Sequence, residues 1–114
     1  MLTGDELLAI DDVGGPHRLE VKAWGGREVW LREPTADVRD EWESFCLANQ
    51  GKAASWRAKL ASLLLCDESG KPLFTAADVP KLGRKSAAAL QEIWEAALPL
   101  VRVTDQEIKE LSGN

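Results

Sequence analysis

Side chains able to do covalent chemistry are few in this chain of 114 residues. Its only histidine, His17, follows Pro16 at the start of an alternating segment, and no nucleophile stands in a pattern that brings it to that ring. Nucleophilic catalysis needs such a pairing. Cys46 and Cys66 both fall within apolar helical patterns and read as buried thiols of a reducing compartment, not as a disulfide or a metal site. One histidine and two isolated cysteines make no ligand cluster, and the acids lack calcium-loop spacing. Gly14-Gly15-Pro16 precedes a strand instead of opening a helix, so it is not a phosphate loop. Carboxylates are plentiful, but Asp40, Glu41 and Glu43 share the polar side of one helix, and Glu92 and Glu95 that of another. These read as solvated faces and not as general acids or bases. The sequence therefore assigns no catalytic, cofactor-binding or metal-binding residue. The expectation is a non-enzymatic binding, assembly or scaffolding domain.

Tryptophan is the chain's unusual resource: there are five, at 24, 30, 42, 56 and 94, and no tyrosine. A buried indole removes a large apolar area from water, so most of these are expected to anchor a small core. Trp24 and Trp30 differ. They fall opposite Ala23 and Leu31 in alternating segments, on the otherwise polar side, where they can pair across two strands. They are the candidate partner-binding residues, since exposed tryptophan is enriched at interfaces.

Composition narrows the partners. Hydrophobic residues make up 45% and charged residues 29%, a globular balance that fits one domain spanning 1–114. The net charge is −5, with acids and bases interspersed, so no basic stripe offers a phosphate backbone the field it needs and nucleic-acid binding is not expected. The longest apolar run, Leu63-Leu64-Leu65-Cys66, is far too short to span a bilayer, so no membrane partner is expected. Residues 1–6 carry no basic region and no long apolar stretch, which argues against a signal peptide and for an intracellular location.

The elements that would carry these residues follow from periodicity and punctuation. Thr3-Gly4-Asp5-Glu6 is a capping box that opens a short helix over 4–10, stopped by Gly14-Gly15-Pro16. Over 17–33 apolar and charged residues alternate on either side of Gly25-Gly26, the mark of a β-hairpin whose turn needs positive φ. The region 35–112 is helical. Thr35 caps a helix with Val38, Trp42, Phe45 and Cys46 on one face and Gly51 as its stop. A helix over roughly 54–66 follows, with Trp56, Leu60, Leu63 and Leu64 on its apolar face and Arg57 and Lys59 solvated. Asp67-Glu68-Ser69-Gly70 is a turn and 71–74 a short extended piece. Thr75 to Asp78 caps a short helix closed at Gly83. The last long helix begins at Ser86, with Ala87, Leu90, Trp94, Ala97 and Leu98 on one face, and is terminated by Pro99. A capping box at Thr104 opens a final short helix carrying Ile108 and Leu111. The expected fold is α+β, an N-terminal β-hairpin packed on four or five α-helices.

The run from Leu64 through Asp67-Glu68-Ser69-Gly70-Lys71-Pro72-Leu73-Phe74-Thr75, with Asp78-Val79, Leu82-Gly83 and Lys85-Ser86-Ala87-Ala88-Ala89-Leu90 after it, resembles the tail assembly chaperones of long-tailed, lambda-type bacteriophages and prophages. Trp24-Gly25-Gly26 and Thr35-Ala36-Asp37 match that family's extended segment and helix start, and the likeness covers roughly 20–111. The shared residues are packing, capping and turn residues, not chemical ligands. The resemblance implies a non-catalytic protein that binds the tape measure protein and helps recruit the major tail protein. It implies work in the cytoplasm of the bacterial host and absence from the mature virion. Weak self-association, with many copies along one tape measure chain, is expected too. The family's second product, a longer form made by ribosomal slippage, would arise here if Ser112-Gly113-Asn114 were encoded as a slippery heptamer, and that longer form would contact the major tail protein. The other reading is a small bacterial regulator or antitoxin-like module that binds another protein.

Overall fold

Alternating apolar and charged residues build the sheet that the sequence suggests. The computed structural model describes residues 1–101 and 105–111. Strands β1 (His17–Val21) and β2 (Arg27–Leu31) pair antiparallel, with Leu19 opposite Val29 and His17 opposite Leu31. That register places Leu19, Val21, Val29 and Leu31 on one face, against the core. Arg18, Glu20, Glu28 and Trp30 fall on the other, where Arg18 reaches both Glu20 and Glu28 at 2.6 Å.

The hairpin loop is longer than Gly-Gly. Residues Lys22–Trp24 form a 3-10 turn, and Gly25 and Gly26 follow at φ 71° and 81°, the positive angles the turn requires. Ala23 and Trp24 therefore belong to the loop and not to the strand. The expected cross-strand pairing of Trp24 with Trp30 does not form, because Trp30 stands opposite Arg18 in β1.

A third strand, β3 (Leu65–Cys66), pairs with the end of β2 and completes the order β1-β2-β3. The sequence reading had carried these two residues in a helix. The chain then reverses at Asp67, whose carboxylate accepts from the amides of Ser69 and Lys71, and Pro72 bridges back to Cys66.

The described residues form the helices α1 (Gly4–Leu8), α2 (Ala36–Ala48), α3 (Ala53–Leu64), α4 (Val79–Leu82), α5 (Ala87–Val101) and α6 (Asp105–Leu111). With the hairpin they make an α+β fold. The capping box of α1 forms in both directions, Thr3 accepting from the amide of Glu6 and Glu6 from that of Thr3. Thr35 Oγ1 accepts from Val38, Ser86 Oγ from Ala89, and the Asp78 carboxylate from Thr75. Pro99 does not end α5, which runs on to Val101. Its missing N–H costs only the bond to the carbonyl of Glu95, on the exposed side, while the buried Val101 holds the last turn against the core. The cap expected at Thr104 and the terminal Ser112-Gly113-Asn114 lie outside the described residues.

Helix α3 is the centre of the molecule, packed against α2, α4 and α5, and every residue from Ala58 to Cys66 is buried. Its own Trp56 joins Trp42 of α2 and Trp94 of α5 at this centre. Trp42 and Trp94 meet edge to face with centroids 5.8 Å apart. Trp42 Nε1 donates to the carbonyl of Trp56, and Trp56 Nε1 to that of Asn49. Among the described residues, no helix is long and apolar enough to cross a membrane.

Candidate functional site

Arg57 and Lys59, expected to be solvated, instead lie against the core. Lys59 is 6% exposed; its ammonium sits 2.7 Å from Glu41 and above the Phe45 ring at 5.5 Å, so the aliphatic stem is buried and the charge is matched. Arg57 donates to Gln91 and lies 5.5 Å above Trp94. Both partners come from other helices, which is why the periodicity of α3 alone could not reveal them. The two cations form the wall of a cleft.

This cleft is a large concave feature of the described residues. It consists of two hollows that meet at Gly83. One, of about 610 Å³, is lined by Phe45, Ala58, Lys59, Val79 and Pro80. The other, of about 500 Å³, is lined by Arg57, Lys85, Ala87, Ala88, Leu90 and Gln91. Gly83 lines both. It has ordinary helical φ, and a Cβ there would approach Pro80 and Val79 carbonyls at 3.5 Å, within normal contact. Glycine is thus not demanded by the backbone; its effect is to leave the ridge between the hollows low. Lys81, Arg84 and Lys85 are exposed around it, and Arg84 and Lys85 make no ion pair among the described residues. The cleft is apolar on its floor and basic at its rim. Ser55 and Lys59 both line the first hollow, with the Lys59 ammonium directed to Glu41, and such a shape suits an apolar segment with acidic flanks.

The two tryptophans singled out from the sequence line neither hollow. Trp24 is half-buried against the core at the hairpin loop. Trp30 is half-buried on the outer sheet face, between Arg18 and the buried Cys66 in register.

The other reactive groups have structural duties. The Glu92 carboxylate accepts from the amides of Ala23 and Lys22, at 2.9 and 2.7 Å, and these two bonds hold its carboxyl below the usual carboxylate range. Expected on a solvated face, it instead ties the hairpin loop to α5. Burial, with Glu43 adding to it, pushes the Cys46 thiol up to about 12, and burial raises Cys66 as well, so neither is a ready nucleophile. His17 Nε2 lies 2.7 Å from Glu33, whose carboxylate also accepts from the amide of Gly14. Among the described residues, no group of three or more His, Cys, Asp or Glu side chains is placed to hold a metal ion.

Nothing in the cleft could be found from spacing, because its walls come from α2, α3, α4 and α5. Comparison with protein-family models, with curated proteins and with solved structures finds no match.

Proposed function

We propose that this chain is a non-catalytic assembly chaperone of the kind found in lambda-type phage tails. Its task is to hold an apolar helical segment of the tape measure protein and keep it from aggregating. The longer frameshifted form would bring in the major tail protein. Such a chaperone acts in the cytoplasm of the bacterial host and leaves before the virion is complete. The observation that carries the reading is the cleft beside Gly83: a long, mostly helical client exposes apolar stripes, and an open apolar floor with a charged rim accepts one stripe reversibly. Trp30, half-buried on the sheet's outer face, is a second contact surface in this reading, and Trp24, packed against the core at the hairpin loop, supports the loop.

The test is co-expression with the tape measure protein of the same genome. The expected result is a soluble complex holding several copies of the chain. Gly83→Trp should abolish it by filling the ridge between the hollows, while Gly83→Ala, whose Cβ fits, should not. A tape measure protein that stays insoluble with the wild-type chain, or a complex indifferent to Gly83→Trp, would overturn the reading.

A further inference from the structure

Most of the large apolar side chains left exposed among the described residues belong to the N-terminal arm; Leu47 and Leu73 are the others. All of residues 1–15 are exposed, and none of α1 is buried. Leu8 is 87% exposed, and Leu2, Leu7, Ile10 and Val13 are between 43% and 54%. Yet α1 is a properly capped helix and not a loose tail. The arm is also strictly acidic: Asp5, Glu6, Asp11 and Asp12, with no lysine or arginine before Arg18. An apolar helix flanked by acids complements an apolar cleft that carries Arg57 and Lys85 in its lining and the exposed Arg84 beside Gly83, while Lys59 and Lys81 are already paired with Glu41 and Asp78.

We propose that the cleft beside Gly83 takes the N-terminal arm, residues 1–13, of a second copy of this chain, and that a client helix must displace it. The inference rests on reading the cleft as a docking site for helices. The arm's exposure along its whole length in its own domain favours a second copy as the occupant. The Gly14 amide is held by the Glu33 carboxylate, and a Cβ on Gly14 would collide with that carboxylate. Asp12 lines a hollow with Glu33, Thr35 and Ala36 at the start of α2. Phe45, on the cleft wall, is nine residues further along α2, about 13 Å at 1.5 Å per residue. Residues 1–13 are long enough to span that distance, yet within its own domain the arm stands exposed along its whole length and does not lie on the cleft. The arrangement is heterologous: each copy offers an arm and a cleft on different surfaces, so copies chain head to tail. Charge attraction at the rim outweighs the repulsion between two chains of net charge −5 only at short range, so the contact is weak and sensitive to salt. Apolar burial in the two hollows supplies the rest. A row of such contacts also sets out copies in a line, as a long client requires, with each arm handing its cleft to the client as it docks.

Complementation tests this. Sedimentation of the full chain over a range of concentrations should show reversible association that weakens by about tenfold or more on going from low to high salt. The arm variant Leu7→Asp/Leu8→Asp and the cleft variant Gly83→Trp should each be monomeric alone. Mixed together they should form a one-to-one dimer that grows no further, since one intact arm then meets one intact cleft. Gly83→Ala should associate as the wild type does, and circular dichroism checks that each variant is folded. The inference is overturned by a wild-type chain that stays monomeric, including by folding its arm onto its own cleft, by an arm variant that still associates, or by a mixture that does not dimerise. The reading of the function is judged separately: a chain that fails to associate through its arm but still solubilises the tape measure protein removes the arm from the cleft and leaves the client there.

Discussion

Helix α3 and the N-terminal arm draw on the same kinds of residue and meet opposite fates. In α3 even a lysine is buried, its charge led to Glu41 and its stem laid against Phe45. In the arm, Leu7, Leu8 and Ile10 stay in water although α1 is capped as well as any helix in the fold. Local sequence makes a helix in both places; what differs is whether other elements close over it. Capping and propensity therefore say that a helix forms, and tertiary packing says whether it belongs to the core. A capped apolar helix without a cover is a docking element in waiting, and the cleft beside Gly83 is a cover without an occupant from its own domain.

The contrast is easiest to break in the core. Trp42 is completely buried and bonded to the carbonyl of Trp56, so Trp42→Ala should cost about 3–5 kcal/mol in urea unfolding. A loss near that of a surface residue would mean that α3 is not the centre of cooperativity.

A smaller, pH-linked effect is expected where Glu92 ties the hairpin loop to α5. Its carboxyl is held below the usual value by the Ala23 and Lys22 amides, so its stabilisation is complete above the unfolded-state value and is lost as pH falls through the folded-state value. Asp67 and Asp78, likewise lowered by the hydrogen bonds of Ser69 and Thr75, act in the same direction. Glu92→Gln should flatten the fall in stability below about pH 5, measured by unfolding midpoints. An unchanged acid limb would detach the loop from α5. The buried thiols sharpen the same boundary: at about pH 8, Cys46 and Cys66 should resist alkylation in the native chain and react once it is unfolded.

The smallest effect belongs to the arm. Leu8→Ala should change unfolding stability by no more than about 0.5 kcal/mol, because the side chain touches no core. A larger loss would place the arm within the folding unit.

Much of this architecture was legible in the residues themselves. Thr3, Thr35, Thr75 and Ser86 start elements as the sequence suggests, and α2 points Trp42 and Cys46 inward; in α5 Leu90 and Ala97 are buried as expected, but Ala87 is exposed and Ala89 and Ile93 are buried in addition. Leu63-Leu64-Leu65-Cys66 was ambiguous for a physical reason: a continuous apolar run suits a buried helix and a buried strand equally, and only pairing with β2 decides that it switches at Leu65. The tie from Glu92 to Ala23 spans 69 residues, and the partners of Lys59 and Arg57 stand on other helices, so periodicity along one helix does not carry them. The cleft was hidden for the same reason. The arm's composition was visible, but its lack of cover is a property of the folded molecule.

The account turns on whether the cleft accepts an acidic apolar helix, and a peptide of residues 1–13 titrated into the isotope-labelled full chain asks this directly. Two-dimensional amide spectra should show saturable shifts at Ala58, Lys59, Val79, Gly83 and Lys85, weakened by salt and absent in Gly83→Trp. Shifts that never saturate, or that gather around Trp30 and Pro72 on the sheet instead, would contradict it.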